Sequence, residues 1–216
     1  MAITFYYGSG SPFAWKVWLT LEHKGLSYDL RRLQFNQAEL KSPEYLAINP
    51  RGKVPALVDG DLVVYESSAI VEYLEERYPE RPVLGTTPAE RARVRRLAAE
   101  AENYLYPSQR ELFVQTLFRP AEKGRDAEAI ARAHDNLLAE LARWEQALAS
   151  APFLGGETPN LADYATFPPL RGIQRVDERE PEHGLGSRWP GWALAYLRRL
   201  EALPAVQTTW PPHWRG

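Results

Sequence analysis

The hydrophobic pattern of this chain changes period once, at 79-PERPVLG-85, and that change constrains the fold more than any other feature. Before it, short apolar and β-branched runs alternate with helical stretches. After it, only helical periodicity remains, and no convincing strand follows residue 66. A chain with this division is expected to build a small α/β domain first and an all-helical domain second. The boundaries read as residues 1–79, a linker at 80–87, and 88–216. A length of 216 residues accommodates both.

The first part reads strand, helix, strand, loop, strand, strand, helix. Residues 3-ITFYY-7 are strand-like. Residues 12–24 are helical, with Ala14, Val17, Trp18 and Leu21 on one face and Gly25 as the stop. A second strand is expected over 28–34. Residues 35–53 are polar, and 42-SPEY-45 and 49-NPRG-52 read as turns in an irregular segment. The runs 54-VPALV-58 and 62-LVVY-65, joined around Asp59-Gly60-Asp61, predict a hairpin. A helix over 67–78, with Ile70, Tyr73 and Leu74 inward, closes a mixed four-stranded sheet.

In the second part, Thr87-Pro88-Ala89-Glu90 is a capping box with proline at the first helical position. Val94, Leu97, Ala98, Ala101 and Leu105 continue that helix until Pro107, which kinks or breaks it. Further helices are expected over 126–149, from Asn160 to about Asp177, and from Trp192 to Leu203. Asn160-Leu161-Ala162-Asp163 reads as a second capping box, a folding element. The tail 208-TTWPPHW-214 either closes over a cleft or packs on the first domain.

The composition removes several classes of chemistry. With no cysteine, disulfides, thiolate metal sites and cysteine nucleophiles are excluded. A net charge of −2 leaves no cationic excess for a nucleic-acid partner. His23, His134, His183 and His213 have no metal-ligand spacing, and there is no nucleotide-binding glycine fingerprint. Neither a signal peptide nor a membrane-spanning run is visible, so a cytoplasmic protein is expected.

Three features stand together in the first domain. Ser11 precedes Pro12 at the start of the first helix, where it reads as a cap or as a group that holds an anion. Pro55, lacking an N–H, stands at the start of a strand, where a cis bond to Val54 is compatible with the pattern. Glu66-Ser67-Ser68 opens a helix directly after the hairpin, presenting free backbone donors.

With these features on one chain, the sequence resembles the soluble glutathione S-transferases, and its serine is similar to that of Tau-like and Zeta-like members. The matching segments are 11-SPFAWKV-17, 49-NPRGKVPALVDG-60, 66-ESSAIVEYL-74 and 154-LGGETPNLADYATFP-168. The resemblance implies a thioredoxin-like N-terminal domain, an all-α C-terminal domain, and a homodimer. It further implies glutathione as co-substrate, with no tightly bound cofactor or metal and an apolar electrophile as second substrate. Ser11 matches the catalytic serine. Lys41 and Lys53 match basic positions near the glycine carboxylate of glutathione. Val54 matches the residue whose backbone pairs with the cysteinyl unit, beside Pro55. Glu66 and Ser67 match the pair that holds the γ-glutamyl group. Tyr6, Tyr7 and Ser9 are rivals to Ser11 as thiol activator. Tyr104, Tyr106, Arg110 and Phe113 are candidates for the electrophile site, expected between the domains, and core packing explains them as well. Other glutathione chemistry (peroxidase, isomerase or dehalogenase) and a non-catalytic scaffold on the same fold are the alternatives.

Overall fold

The computed structural model describes residues 3–35, 37–119, 123–181 and 185–214. His183 lies outside them. The chain divides into two units. The first comprises residues 1–83 together with 203–216, and the second comprises 84–202. The C-terminal tail is thus part of the first unit, one of the two placements left open by the sequence, whereas the expected domain bounds of 88–216 group it with the helical domain.

The first unit is built on strands β1 (Ile3–Tyr7), β2 (Tyr28–Arg32), β3 (Ala56–Asp59) and β4 (Leu62–Tyr65), in the order β2-β1-β3-β4. β1 runs parallel to β2 and antiparallel to β3, and β3 and β4 form the hairpin. Helix α1 (Pro12–Lys24) provides the crossover between the two parallel strands. It ends at Gly25, whose φ of 65° suits a residue with no Cβ. Ile3, Phe5 and Tyr7 of β1 point inward while Thr4 and Tyr6 are half-buried, as strand alternation requires. Phe5 and Leu57 from the sheet, Val17 and Leu21 from α1, and Ile70 and Leu74 from α4 (Ser67–Arg77) are fully buried.

The segment expected to be irregular contains two short helices, α2 (Gln37–Leu40) and α3 (Pro43–Ile48). Ser42 caps α3, accepting from the Tyr45 amide, with Pro43 at the first helical position. Ser-Pro therefore starts a helix here rather than a turn.

Polar contacts fix α4. The Tyr73 and Tyr78 hydroxyls both donate to Asp59 Oδ2, at 2.7 and 2.6 Å. Lys24, at the end of α1, pairs with Glu75 at 2.8 Å with both side chains buried. Lys24 Nζ also donates to the carbonyls of Tyr78 and Arg81, and Glu75 accepts from the Val83 amide. This cluster ties the 78–83 segment to the first unit.

The second unit is helical: α5 (Pro88–Glu100), α6 (Tyr106–Thr116), α7 (Ala127–Ser150), α8 (Leu161–Arg179) and α9 (Gly191–Glu201). Its only extended pairing among the described residues is a single bridge between Phe153 and Gly156. Pro107 does not break the helix. Instead, residues Ala101–Leu105 widen to a π-turn, with the Tyr106 amide donating to Ala101, and α6 continues beyond. Proline cannot donate and crowds the carbonyl four residues back, and a widened turn accommodates it.

Helix α8 packs against α5, α6 and α9, and its residues from Leu161 to Ile173 are buried. Both expected capping boxes form, at Thr87/Glu90 and at Asn160/Asp163. Their electrostatics are opposite. Glu90, at the surface, accepts from the backbone of Thr87 and Thr86 and from the Thr86 hydroxyl, which pulls its carboxyl down to about 2. For Asp163, burial pushes the carboxyl up to about 7 against the donors Tyr196, Leu154 and Asn160.

The chain then returns to the first unit through α10 (Pro204–Thr209), which packs on α1.

Candidate functional site

The sheet register gathers the three sequence features at one end of the first unit. Tyr6 of β1 is opposite Ala56 of β3, and Ala56 is opposite Tyr65 of β4. The residues just beyond these partners therefore flank one sheet end. They are the loop from Gly8 to Ser11, the Val54–Pro55 peptide, and Glu66–Ser67.

Each is held by local chemistry. Ser11 is the N-cap of α1. Its Oγ accepts from the Ala14 amide at 3.3 Å, its amide donates to Gly8 O at 3.0 Å, and it is buried. The Oγ is thus used as an acceptor, and its own proton remains available to a ligand. The Val54–Pro55 peptide is cis, and Pro55 is buried. Just before it, Lys53 O accepts from Tyr45 Oη at 2.5 Å and from Asn49 Nδ2 at 2.6 Å. Burial pushes the Tyr45 phenol up to about 12, which keeps it a donor.

Glu66 stands at the N-cap position of α4 without a side-chain capping bond, with φ 71° and ψ 115°, the one positive φ at a non-glycine residue among those described. Ser67, the first residue of that helix, is buried. Two helix N-termini, at Pro12 and at Ser67, therefore open at the same end of the sheet, and each favours negative charge nearby.

The basic candidates are less tightly placed. Lys53 is exposed, and Lys41 Nζ donates to Arg51 O at 3.0 Å. Arg51, read from the sequence only as part of a turn, forms an exposed ion pair with Glu66 at 3.5 Å. That pair links the α3–β3 loop to the start of α4. Its sequence signal is a lone arginine beside Pro50, which points to no partner.

The rival thiol activators are placed as follows. Tyr7 is buried, and its ring packs on Trp18 with centroids 4.8 Å apart. Burial raises its phenol above the ordinary range, against the nearby Arg32. Tyr6 is half-buried beside the Tyr45 ring, at 5.8 Å. Ser9 Oγ is 2.7 Å from His213 Nδ1 in the tail.

The four electrophile candidates separate within the second unit. Tyr106, Arg110 and Phe113 fall three and four residues apart on one face of α6. Tyr104 is exposed and lines a groove of about 650 Å³ between the π-turn, α6 and α7, with Pro107, Ser108 and Glu111. No cluster of metal-ligating side chains occurs among the described residues. No helix among them is long and apolar enough to cross a membrane.

Comparison with known proteins matches this architecture. Residues 10–77 match the family described as "Glutathione S-transferase, N-terminal domain", and residues 127–205 match "Glutathione S-transferase, C-terminal domain". Glutathione S-transferase A of Pleuronectes platessa is 31% identical, over 98% of this chain and 92% of its own length. The chain belongs to the glutathione S-transferase family. Another relative is the maleylacetoacetate isomerase of Pseudomonas aeruginosa, 34% identical over 81% of this chain and 82% of its own. A glutathione S-transferase from the Antarctic clam Laternula elliptica shares the fold with a TM-score of 0.82 and 32% identity, covering 99% of this chain and 94% of that one. In family terms, the first unit is the thioredoxin-like domain with its mixed four-stranded sheet, and the second is the helical domain.

Proposed function

We propose that this protein is a glutathione transferase that binds glutathione at the end of the first unit's sheet and holds its sulfur as thiolate through Ser11. The observation that carries this reading is the hydrogen bonding of Ser11. Its Oγ accepts from the Ala14 amide, so its proton is free to donate to sulfur at the positive end of α1. A free thiol titrates near 8.5. Lowering that by about two pH units takes about 2.7 kcal/mol of preference for the anion. One charge-assisted hydrogen bond plus a helix terminus is of that size.

The remaining residues orient the tripeptide. The Val54 backbone, beside the cis Pro55, pairs with the cysteinyl unit. Glu66 accepts from the γ-glutamyl ammonium, and Ser67 with the α4 amides donates to the adjacent carboxylate. Lys41 and Lys53 attract the glycine carboxylate. The thiol proton passes to water. The thiolate then forms a carbon–sulfur bond as the electrophile's leaving group departs with its electron pair. Tyr106, Arg110 and Phe113 are the candidates to meet an apolar electrophile. A homodimer and a cytoplasmic location belong to the same reading.

Glutathione-dependent isomerisation is the second reading, favoured by the similarity to the maleylacetoacetate isomerase. The two separate by product. Incubation with glutathione and an activated aryl halide is expected to give the thioether and free halide, with the rate falling at least tenfold in Ser11→Ala. Turnover of a cis-enone to its trans isomer with glutathione regenerated, and no conjugate from any halide, would favour isomerisation instead.

A further inference from the structure

We propose that His213 of the C-terminal tail is a positioning residue of the thiol site, acting through Ser9 on the loop that carries Ser11. The proposal rests on the reading of Ser11 given above.

The tail grips Ser11 from both sides along the chain. On the N-terminal side, His213 Nδ1 lies 2.7 Å from Ser9 Oγ. Gly10 has φ 84°, and a Cβ placed there would come within 3.1 Å of His213 Cε1 and 3.7 Å of Trp214 Nε1. A side chain there would crowd the His213 ring, and the positive φ itself favours glycine. On the C-terminal side, Trp15 in the first turn of α1 donates to Thr209 Oγ1 at 2.8 Å. The Trp15 ring also meets Trp210 and Trp214 edge-on, with centroids 5.8 and 5.4 Å away. Ser11 joins these two anchored stretches through its bonds to Gly8 and Ala14.

The direction of the His213–Ser9 bond follows from its neighbour. Trp214 Nε1 lies 2.9 Å from His213 Nε2. An indole N–H only donates, so Nε2 is the acceptor, and the neutral imidazole carries its proton on Nδ1. His213 therefore donates to Ser9 Oγ. It does not take the Ser9 proton as a base would, so the pair is not a nucleophilic dyad. Its effect is to fix the hydroxyl and the turn behind it. Nothing in the sequence announces this contact, because 204 residues separate the partners.

The test compares wild type with Ser9→Ala, His213→Ala, the double variant and His213→Asn, whose side-chain amide keeps a donor. Three readouts are taken: the ultraviolet absorbance of bound glutathione thiolate against pH, kcat and KM for glutathione in conjugation, and urea unfolding. Each alanine variant is expected to raise the pH midpoint of the bound thiol by about 0.7 and to lower kcat about threefold near pH 6.5 and about fivefold near pH 5, well below the midpoint. That is the equivalent of one ordinary hydrogen bond, about 1 kcal/mol. KM for glutathione should stay within about twofold. The double variant should be no worse than either single one, since the pair acts as a unit, and His213→Asn should recover most of the effect.

Single variants with the wild-type midpoint, an additive double variant, or a loss seen only in unfolding would overturn the positioning role while leaving the transferase reading intact. An unperturbed thiol in wild type itself would refute the transferase reading, and this role with it.

Discussion

Glu66 predicts a variant in which stability and ligand affinity move in opposite directions. Its φ of 71° places a Cβ-bearing residue where glycine is preferred. Strain of this kind costs about 1–2 kcal/mol and persists where the surroundings impose it. Glu66→Gly relieves it, but a glycine also gives the unfolded chain more freedom, worth about 0.5–1 kcal/mol. The lost ion pair with Arg51 is exposed on both sides, about two-thirds for each side chain, and contributes at most a few tenths. The net expectation is a fold more stable by about 0.5 kcal/mol, seen as a higher urea midpoint in tryptophan fluorescence. Glutathione affinity should fall. Removing a charge-assisted bond to the γ-glutamyl ammonium costs about 1.5–3 kcal/mol, a rise in Kd of at least about tenfold by titration calorimetry. Glu66→Gln is the control: it keeps the Cβ and its strain, loses the charge, and should lose affinity without gaining stability. A glycine variant clearly less stable than wild type would refute the strain argument. Unchanged glutathione binding in both variants would remove Glu66 from the site.

Three further outcomes are expected. Lys24→Met leaves the buried Glu75 carboxylate without its cation and the Tyr78 and Arg81 carbonyls without a donor. It should cost about 3–5 kcal/mol in urea unfolding, with only part recovered in Lys24→Met/Glu75→Leu, where the buried charge is gone but the Tyr78 and Arg81 carbonyls and the Val83 amide have lost these partners. Glu90, held down to about 2 in the fold, stabilises it above the ordinary glutamate range, and that contribution disappears as pH falls toward 2. The stability gap between wild type and Glu90→Gln should accordingly be constant above about pH 5 and close below it. Asp163 has the opposite sign. Its folded form binds a proton that the unfolded chain releases near 4, so the gap between wild type and Asp163→Asn should shrink as pH rises from about 4 to 7.

The sheet and its helices follow from local rules that sequence exposes, whereas the roles assigned to the candidate site residues rest on the family resemblance. Strand alternation, the glycine stop of α1, the Asp-Gly hairpin and both capping boxes each arise from neighbours within a few residues. The α2–α3 segment was harder to read because Ser-Pro serves equally as a turn opening and as cap plus first helical residue. Pro107 forbids an ordinary α-turn without saying whether the chain breaks, kinks or widens, and the observed outcome is the π-turn over Ala101–Leu105. The positive φ of Glu66 is invisible because glutamate does not signal it. The tail's return to α1 depends on Trp15 meeting Trp210 and Trp214, a contact across nearly the whole chain that no local pattern encodes.

The central claim is that Ser11 holds glutathione as thiolate, and titrating the ultraviolet absorbance of the bound thiolate in wild type and Ser11→Ala tests it most directly. The account predicts a bound-thiol midpoint about two pH units below free glutathione in wild type, returning most of the way in Ser11→Ala, with glutathione still bound. A lowered midpoint that survives the substitution would contradict it and move the role to Ser9, Tyr6, Tyr7 or the helix terminus alone.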